Sequence, residues 1–572
     1  MKINVNGNER EVNSGQTILD ALRDCGIEVP TLCHMKGLLP SGACRMCVVE
    51  VDGSPNLIPS CAYPVEEGMQ IETHSPRAVR ARKMIIELLL SNHPDDCLYC
   101  VRNKNCQLQD LSADYGVRER VFAQPKPDHS LDVSSPALIR DQSKCILCGK
   151  CVRVCEEVMG VSAIDFVHRG SKTIIAPAFE ESMNTSSCIN CGQCIVVCPT
   201  GALREQSHTD RVMRALLDPD THVVAQHAPA ISVTLAEEWE METDADATGT
   251  LNEALRQLGF DSVFDTGYTA DLTIMEEASE LVQRVLKGGA LPMMTTCSPA
   301  WVKYMEQYFP DLLPHMSSCK SPHQMMGALA KTTYAERVGI PREKMFVVSI
   351  MPCTAKKFEA DREELRVDGR SDVDAVLTTR ELLRMIKTFG LDVSNLKPSE
   401  PDLPFGQRSS AGKLFGATGG VMEAALRTAH YLITGKDPES WEVEEVRGLE
   451  EMKVAKLQVG DLELKVGVVN GVKQAESVLK DIRAGKSDLH FIEVMSCPGG
   501  CIAGGGQPLV TNPERVRNRM KALYAMDSQE KVRASHHNPA VKELYDDVLG
   551  APLSETSHEL LHTHYEPRSV LV

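Results

Sequence analysis

The sequence predicts a multidomain α/β protein, and three observations support this fold class. The chain has 572 residues, which is too long for a single hydrophobic core, so several domains are expected. Most of its 21 cysteines lie in tight groups before residue 200, among short segments typical of small mixed α/β modules. From about residue 210 the cysteines become sparse, and strand and helix patterns alternate as in a larger α/β domain.

The composition excludes several classes of function. A hydrophobic content of 42% and a charged content of 24% are ordinary for a soluble globular protein. The formal net charge of −18 argues against nucleic acid or an anionic membrane surface as a partner. The longest apolar run, at 84–90, is too short to span a bilayer, and the polar amino terminus lacks the apolar core of a signal peptide. We therefore expect a cytoplasmic protein without a membrane span.

Three small modules are predicted in the amino-terminal part. The first, 1–78, has alternation at 2–6, an amphipathic stretch at 17–23, and short strands at 44–51 and 57–60. The second, 79–125, continues a helical pattern that runs from Pro76 to about Leu111. A proline-containing linker at 123–127 leads into the third, 126–208, in which one cysteine spacing occurs twice.

Two further segments complete the chain. Residues 209–511 have the pattern of a regular α/β domain, with buried strands at 223–225, 345–350 and 464–469 and helices at 251–258, 273–287 and 378–388. Within this domain the glycine-rich segment 415–427 predicts a loop that opens into a helix. Residues 512–572 form a charged segment with a helical pattern.

The cysteine spacings indicate metal ligands rather than disulfides. Disulfide-rich proteins are small and secreted, whereas this chain is large and has no export signal. Thiolates spaced two or three residues apart are the ligands of iron–sulfur clusters. All cysteines except Cys25 and Cys319 fall into such groups or into short loop motifs, and we expect those two to be packed small side chains.

Two of the groups leave a choice of metal. The first group consists of Cys33, Cys44, Cys47 and Cys61. The second consists of His93, Cys97, Cys100 and Cys106, in which an imidazole takes the place of one thiolate. Iron–sulfur clusters are the favoured occupants, and a structural zinc ion is the alternative for each group.

The third pattern is a doublet of the run C-x2-C-x2-C-x3-C, and it is the strongest motif in the chain. Its members are Cys145, Cys148, Cys151 and Cys155, followed by Cys188, Cys191, Cys194 and Cys198. In two-cluster ferredoxins the fourth cysteine of each run binds the other cluster. We therefore expect Cys198 to join the first three cysteines of the first run, and Cys155 to join those of the second.

Three further motifs lie far apart, each expected on a loop after a strand: TTCSPAW at 295–301, MPCTAKKFE at 351–359 and MSCPGGCIAGGGQP at 495–508. With SPHQM at 321–325 and FGATGGVMEAALR at 415–427, they resemble the signature segments of iron-only (FeFe) hydrogenases, and the resemblance runs nearly end to end. It implies a β-grasp 2Fe–2S domain, a small helical His-ligated 4Fe–4S domain, a two-cluster 4Fe–4S ferredoxin domain, a two-lobed α/β catalytic domain and a small-subunit-like carboxyl-terminal segment. The implied activity is the reversible conversion of H2 into protons and electrons.

The resemblance also implies an H-cluster, in which a 4Fe–4S cubane is joined to a di-iron unit carrying CO, cyanide and dithiolate ligands. By motif position, Cys353, Cys497 and Cys501 correspond to cubane ligands, and Cys501 to the bridge between the two parts. Lys356 corresponds to a donor to a cyanide ligand. Met351 and Met495 correspond to apolar residues that line the di-iron pocket.

A proton relay is implied at Cys297, Glu277, Ser317 and Glu280. The two glutamates lie on one face of a predicted helix, because residues three apart are neighbours there. Without the resemblance they would be assigned to a solvated helix face.

The first loop motif departs from the family, which has two adjacent cysteines, a proton shuttle followed by a cubane ligand. Aligned without gaps, Cys297 takes the shuttle position and Ser298 the ligand position. Either Ser298 binds through oxygen or Cys297 becomes the ligand, and the sequence leaves both open. Ala230 and His323 also replace a serine and a glutamine that are usual near the cyanide ligands.

The same departure bears on the partners. A single cysteine in this motif is similar to the catalytic subunits of multimeric, NAD(P)-linked hydrogenases, so a hetero-oligomer with a flavin-containing NAD(H) subunit, ferredoxin or both is expected. No dinucleotide-binding glycine fingerprint follows a predicted strand, so nicotinamide chemistry would belong to another subunit. The alternatives are a stand-alone ferredoxin hydrogenase, a low-turnover sensory hydrogenase and a non-catalytic iron–sulfur assembly factor.

Overall fold

The computed structural model describes residues 1–122, 131–242, 245–509 and 512–570. They form two compact units, the first made of 1–157, 162–186 and 197–204, the second of 158–161, 187–196 and 205–572. The linker predicted at 123–127 and the domain boundaries predicted beside residues 125 and 511 lie outside the described residues. By these unit boundaries, the third predicted module, 126–208, contributes residues to both units.

A five-stranded mixed sheet opens the first unit. In sheet order its strands are Asn8–Glu11, Lys2–Val5, Gln70–Glu72, Val48–Val51 and Ile58–Pro59. The helix Ile18–Asp24 begins at Thr17, whose side chain accepts a hydrogen bond from the Asp20 amide. Its apolar residues join Ile3, Val5 and Ile71 in one core, as the alternation and the amphipathic stretch predicted.

The continuous helical pattern predicted from Pro76 to about Leu111 is wrong in its middle. The helix Pro76–Asn92 ends at His93, and the next α-helix is Gln107–Asp114. His93 has extended dihedral angles, φ −87° and ψ 142°, because a residue before proline is disfavoured in the helical region and residue 94 is a proline. The cysteines of the second group therefore lie on the irregular segment between two helices.

The rest of the first unit consists of short elements. A three-stranded sheet has the order Leu203–Glu205, Leu138–Asp141, Leu131–Asp132, and a hairpin pairs Asp165–Val167 with Ile174–Ala176. The helix Lys150–Arg153 carries part of the first cysteine run.

Two four-stranded sheets organise the second unit, as a two-lobed α/β domain requires. The first is fully parallel, in the order Ser262–Asp265, His222–His227, Met345–Met351, Ala375–Thr378. The second has the order Met293–Met294, Phe491–Met495, Leu462–Asn470, Met452–Val459, with only the last strand antiparallel. Nearly every residue of the parallel strands is buried, which indicates that helices cover both faces.

The three helices predicted at 251–258, 273–287 and 378–388 are present, with most ends within a few residues of the prediction. Among the described residues, sixteen α-helices lie wholly or mostly in the second unit. They are Gln193–Val197, Thr209–Leu217, Pro229–Glu238, Thr248–Gln257, Thr266–Lys287, Pro299–Tyr308, Pro322–Leu329, Ala335–Val338, Ala355–Ala360, Thr379–Thr388, Ser410–Leu414, Gly420–Thr434, Val472–Arg483, Pro513–Gln529, Pro539–Leu544 and Glu555–Leu561. Thr266–Lys287 begins a full two turns before its predicted start at residue 273. Among the described residues, no helix is long and apolar enough to cross a membrane.

Candidate active site and iron–sulfur sites

The first cysteine group is brought together in the first unit. The thiols of Cys33 and Cys44 are hydrogen-bonded to each other, as are those of Cys47 and Cys61, and the two pairs interact electrostatically. The contact with Cys44 lowers the pKa of Cys33 to about 5, and the contact with Cys61 lowers that of Cys47 to about 6. The same two contacts raise the pKa of Cys44 and Cys61, so one thiol of each pair is disposed to lose its proton. Four thiols gathered in this way fit an iron–sulfur cluster, whose ligands are thiolates.

His93 and its three cysteines lie along the segment between the helices Pro76–Asn92 and Gln107–Asp114. His93 is buried, Cys97 is exposed and Cys106 is the N-cap residue of the second helix. Leu98 and Tyr99, between the first two cysteines, are 84% and 91% exposed. This group therefore lies close to the surface of its unit.

Four cysteines of the doublet surround a common cavity of about 20 Å³ in the first unit: Cys145, Cys148, Cys151 and Cys198. Burial raises the pKa of Cys145 to about 11 and that of Cys148 to about 12. This is the set expected for one cluster of a two-cluster ferredoxin. Cys155 also belongs to the first unit, where its sulfur accepts a hydrogen bond from the Ala163 amide at 3.3 Å. Its place beside the second run stays a prediction.

The second run, Cys188 to Cys194, is part of the second unit and packs on the loops of the α/β domain. Thr354 Oγ1 donates to the Asn190 carbonyl at 2.7 Å, and Gln193 Nε2 donates to the Ala503 carbonyl at 2.9 Å. A Cβ atom added at Gly505 would clash with the carbonyl oxygen of Cys191, so glycine permits this close approach. The second run thus directly adjoins the loops that carry Cys353 and Cys501.

Each of the three loop motifs follows a strand, as predicted. Cys353 follows Met345–Met351, Cys497 and Cys501 follow Phe491–Met495, and Cys297 follows Met293–Met294. Within each sheet the strands that precede these loops are parallel to their neighbours. In open α/β sheets, ligands bind beyond the carboxyl ends of the strands. Sheet topology thereby places residues that are distant in sequence around one space.

That space is a cavity of about 80 Å³. Its lining includes Cys297, Ser298, Met351, Cys353, Lys356, Met495, Cys501, Ala230 and His323. Cys497 is buried beside it, and its thiol interacts electrostatically with those of Cys353 and Cys501. The structure therefore brings together all the residues predicted to hold the H-cluster.

The donors around the cavity fit such a cofactor. Burial raises the pKa of Cys497 and Cys501 to about 12, so these thiols need a bound cation to become thiolates. His323 is 1% exposed, and its Nε2 has no hydrogen-bond partner among the described residues. Burial lowers the pKa of His323, and its Nδ1–H faces the Glu359 carboxylate, so Nε2 of the neutral ring is an acceptor that faces the cavity.

Lys356 is held by three groups near the cavity. Its Nζ donates to the Cys297 carbonyl at 3.1 Å and to Ser321 Oγ at 2.9 Å, and it pairs with Glu359 Oε2 at 2.7 Å. Glu359 also contacts His323 Nδ1 at 2.9 Å. Burial would raise the pKa of Glu359, but the ammonium and the imidazole lower it to about 2. The carboxylate thus orients both the lysine and the histidine.

Cys297 and Ser298 both line the cavity but have different neighbours. Ser298 Oγ is 2.6 Å from Ser496 Oγ, next to Cys497. The Cys297 thiol interacts with Glu277 and Cys501, and burial, followed by Glu277, raises its pKa well above the ordinary value. The serine is therefore close to Cys497, one of the predicted cubane ligands, and the thiol lies between Cys501 and the predicted proton relay.

The predicted relay residues are close to one another in the structure. Ser317 Oγ donates to Glu280 Oε2 at 3.0 Å and is also within hydrogen-bond reach of Glu277. Burial, then the neighbouring Glu280 carboxylate, raises the pKa of Glu277 to about 8. Glu280 in turn pairs with Arg284 at 2.5 Å. Glu277 is thus protonated at neutral pH, and the hydroxyl of Ser317 connects it to Glu280.

A second branch of polar groups at Glu280 was not predicted. Ser318 Oγ is 3.2 Å from Glu280 Oε2 and 2.8 Å from His562 Nδ1, and His562 Nε2 is 3.1 Å from Glu276 Oε2. Cys319, predicted to be a packed side chain, is fully buried, with its sulfur 4.0 Å from Glu280. The sequence gives no local signal for this branch, because residue 562 lies far from the glutamates along the chain.

Glu493 was also missed. Its carboxylate accepts hydrogen bonds from the amides of Gly419 and Met422, at 2.6 and 2.7 Å, at the start of the helix Gly420–Thr434. Burial raises its pKa to about 7, and it interacts electrostatically with Cys297 and Cys501. A glutamate inside the otherwise apolar strand Phe491–Met495 is the sequence signal that could have found it.

Five segments of the chain match described protein families. Residues 221–505 match the iron only hydrogenase large subunit, C-terminal domain, and 513–568 match the iron hydrogenase small subunit. Residues 1–76 match a 2Fe-2S iron-sulfur cluster binding domain, 82–120 the NADH-ubiquinone oxidoreductase-G iron-sulfur binding region and 144–202 a 4Fe-4S dicluster domain. These matches confirm the predicted kinds of domain.

Similar proteins extend over the whole chain. It is 46% identical over 583 residues to the NADP-reducing hydrogenase subunit HndD of Solidesulfovibrio fructosivorans, covering 100% of both. It is 41% identical over 570 residues to iron hydrogenase 1 of Clostridium pasteurianum, covering 98% of this chain and 99% of that protein. A solved structure of apo FeFe-hydrogenase HydA1 from Chlamydomonas reinhardtii has a TM-score of 0.57 at 40% identity, covering 64% of this chain and 100% of that one. The chain therefore belongs to the iron-only hydrogenase family.

Proposed function

We propose that this hydrogenase interconverts H2 with protons and electrons at an H-cluster held by Cys353, Cys497, Cys501 and Ser298. The observation that carries the proposal is the cavity in which Cys353, Cys501 and Ser298 converge with Lys356. Cys497 lies beside this cavity and interacts with both cysteines. When bound, the H-cluster supplies the two-electron chemistry of H2. Met351 and Met495 line the same cavity, where their apolar side chains would exclude water.

Electrons would travel along one 2Fe–2S and three accessory 4Fe–4S clusters. The proposed ligands are the sets predicted above: Cys33, Cys44, Cys47 and Cys61; His93, Cys97, Cys100 and Cys106; Cys145, Cys148, Cys151 and Cys198; Cys155, Cys188, Cys191 and Cys194. The packing of Cys191 against Gly505 supports the last set as the donor nearest the active site.

Protons would pass between Cys297, Glu277, Ser317 and Glu280. Glu277 is protonated at neutral pH because of its raised pKa, so it can donate to Ser317 while that hydroxyl donates to Glu280. Release of the proton from Glu280, whose side chain is 11% exposed, and reprotonation of Glu277 from Cys297 would complete one transfer. Arg284 is already a cation, so it would hold the Glu280 carboxylate in place without taking up the proton. Lys356 and Glu359 position the donors at the cavity but are not members of this relay.

The chain would act as the catalytic subunit of a larger complex. Its similarity to a subunit of an NADP-reducing hydrogenase supports a flavin-containing partner that handles NAD(P)(H), with ferredoxin as a further electron carrier. The replacements Ser298, His323 and Ala230 in the cavity lining keep a low-turnover sensory hydrogenase as the second candidate. The rate of H2 turnover separates the two.

Infrared spectroscopy of protein matured under anaerobic conditions tests the central proposal. We expect absorption bands of metal-bound CO and cyanide, together with H2 evolution from a reduced dye. Electron paramagnetic resonance of the reduced protein should show several coupled iron–sulfur signals. Absence of the CO and cyanide bands from a fully matured sample that carries its full complement of iron would contradict the proposal. Zinc at the His93 group would contradict the assignment of that cluster alone.

A further inference from the structure

A group of metal-ligand side chains lies apart from the hydrogenase site, on the carboxyl-terminal part of the second unit. His536 and His537 occupy the short turn Ser535–His537, and Asp437 follows the helix Gly420–Thr434. Asp437 Oδ1 is 3.1 Å from His536 Nε2 and 3.2 Å from His537 Nε2. The three ligand atoms all lie within 4.8 Å of one another.

We propose that Asp437, His536 and His537 bind a divalent transition metal ion of the zinc class. Two imidazoles and a carboxylate form a common ligand set for Zn²⁺. Metal–ligand bonds of about 2.0–2.1 Å at a tetrahedral angle place ligand atoms roughly 3.3 Å apart, close to the two distances observed here. Asp437 and His537 are 42% and 36% exposed at their side chains, so water can complete the coordination.

The surroundings of the histidines fix them in the orientation that a metal needs. His536 Nδ1 is 3.2 Å from Thr428 Oγ1. This hydroxyl can accept from Nδ1–H, and in that tautomer the lone pair of Nε2 is available to a metal. The ring of Tyr431 stacks on His536 with the centroids 4.3 Å apart. The Trp441 ring meets that of His537 edge-on at 5.9 Å. Both imidazoles are therefore held in place by packing before any metal binds.

The turn that carries the histidines is itself anchored in the core. Ser535 Oγ donates to Asp271 Oδ1 at 2.8 Å, and Asn538 Nδ2 donates to Asp271 Oδ2 at 2.9 Å. Asp271 is fully buried in the helix Thr266–Lys287, which also carries Glu277 and Glu280. A metal at the proposed site would add a further link between the carboxyl-terminal segment and the helix Gly420–Thr434, and should stabilise their packing.

Zinc titration of the iron-loaded holoenzyme tests the site, since the cysteines of the proposed clusters are then occupied by iron. After brief chelator treatment, Zn²⁺ is added, unbound metal is removed, and zinc and iron are counted per chain. We expect one retained zinc ion and a higher Tm. His537→Ala and Asp437→Asn, both at partly exposed positions, should lower the affinity at least about tenfold with iron content unchanged. Thr428→Val retains all three ligands and should lower it by about 10–100-fold.

His564 provides the matched control. It also pairs with a single carboxylate, Glu566, at 3.6 Å, but its side chain is 72% exposed. His564→Ala should retain zinc as the wild type does. The proposal is overturned if the holoenzyme retains no zinc, if His537→Ala and Asp437→Asn retain as much as the wild type, or if the control loses zinc equally. In the first two cases Asp437 is only a hydrogen-bond acceptor for the two rings.

Discussion

Cys297 and Ser298 are neighbours in the chain, yet their side chains have different surroundings. The Cys297 thiol is buried and interacts with Glu277, while Ser298 Oγ is hydrogen-bonded to Ser496 Oγ. Burial and the neighbouring Glu277 raise the pKa of Cys297, so the thiol holds its proton beside the relay. A serine hydroxyl is a much weaker acid than a thiol and gives up a proton less readily. These positions favour the ungapped alignment, with the thiol as shuttle and the serine beside the cubane.

Substitution of each residue in turn distinguishes the two assignments. Cys297→Ala should nearly abolish H2 turnover while the infrared bands of CO and cyanide and the cubane signal persist. Ser298→Ala should instead disturb the cubane signal, because it removes the oxygen next to Cys497. Loss of the cubane signal in Cys297→Ala would make Cys297 the ligand, and the relay assignment would then be wrong.

Glu277 should affect both activity and the pH dependence of stability. Glu277→Gln should lower H2 turnover by about 100-fold or more, since an amide cannot relay a proton. The folded pKa of about 8 lies above the unfolded value of about 4.3. The contribution of protonated Glu277 to the stability of the wild type is thus fully present below the unfolded pKa and is lost as pH rises through the folded pKa. The glutamine variant has no such loss, so its Tm relative to that of the wild type should increase as pH rises from about 4 to about 8.

The matched control for Glu277 is on the same helix. Ser279 Oγ donates only to the Met275 carbonyl, at 2.6 Å, among the described contacts, so Ser279→Ala should leave both turnover and the pH profile of Tm unchanged. A Glu277→Gln enzyme with wild-type turnover would show that protons use another route, for which the branch through Ser318 and His562 is available.

At the scale of helices and strands, local patterns predicted the scaffold better than the site. The apolar run at 345–350 identified the strand that precedes Cys353, and ligand spacing identified the cysteine groups, because both signals lie within a few residues. The contact between Glu280 and His562 through Ser318 joins segments far apart in the chain, so no local pattern predicts it. The interruption after His93 was locally encoded by the following proline, but the helical periodicity on either side obscured it.

The helix Pro299–Tyr308 carries a buried charge that bears on electron transfer. Lys303 is 3% exposed, its Nζ has no hydrogen-bond acceptor among the described residues, and it lies 4.8 Å from the centre of the Phe358 ring. Burial lowers the pKa of Lys303, and the electrostatic interaction with the Cys188 sulfur is the largest of the effects that raise it. An iron–sulfur cluster on Cys188 would be an anionic partner for this ammonium, and a nearby positive charge favours the reduced cluster.

Removal of this charge should lower the reduction potential of one accessory cluster. Lys303→Met retains most of the side-chain volume, so redox titration by electron paramagnetic resonance should show one 4Fe–4S signal shifted to lower potential. Lys303→Arg, which retains the charge, should restore the potential toward the wild-type value. Equal potentials in Lys303→Met and wild type would show that the lysine contributes only packing against Phe358.

For the whole molecule, the domain order is that of an electron relay leading to a catalytic domain. The matched segments run from a 2Fe-2S domain through the NADH-ubiquinone oxidoreductase-G region and the dicluster domain to the hydrogenase domain. A chain of this kind requires a partner that exchanges electrons with its clusters. Leu98 and Tyr99, beside Cys97, are exposed, and we expect a partner to approach the proposed cluster of the His93 group at this surface.

Association with a flavin-containing NAD(P)(H) subunit should be sensitive to salt. The net charge of −18 would steer a partner with a positive docking surface, and this attraction weakens as the Debye length falls from about 10 Å at 0.1 M salt to about 3 Å at 1 M. We expect native purification at low salt to recover a complex that couples H2 oxidation to NAD(P) reduction. High salt should dissociate this complex while H2 evolution from a reduced dye continues.

If the chain is recovered alone at low salt and turns over rapidly with reduced ferredoxin, it is a stand-alone ferredoxin hydrogenase. A pronounced loss of dye-linked activity at high salt would show instead that salt acts on the enzyme itself, so the dye assay is the control for the partner measurement.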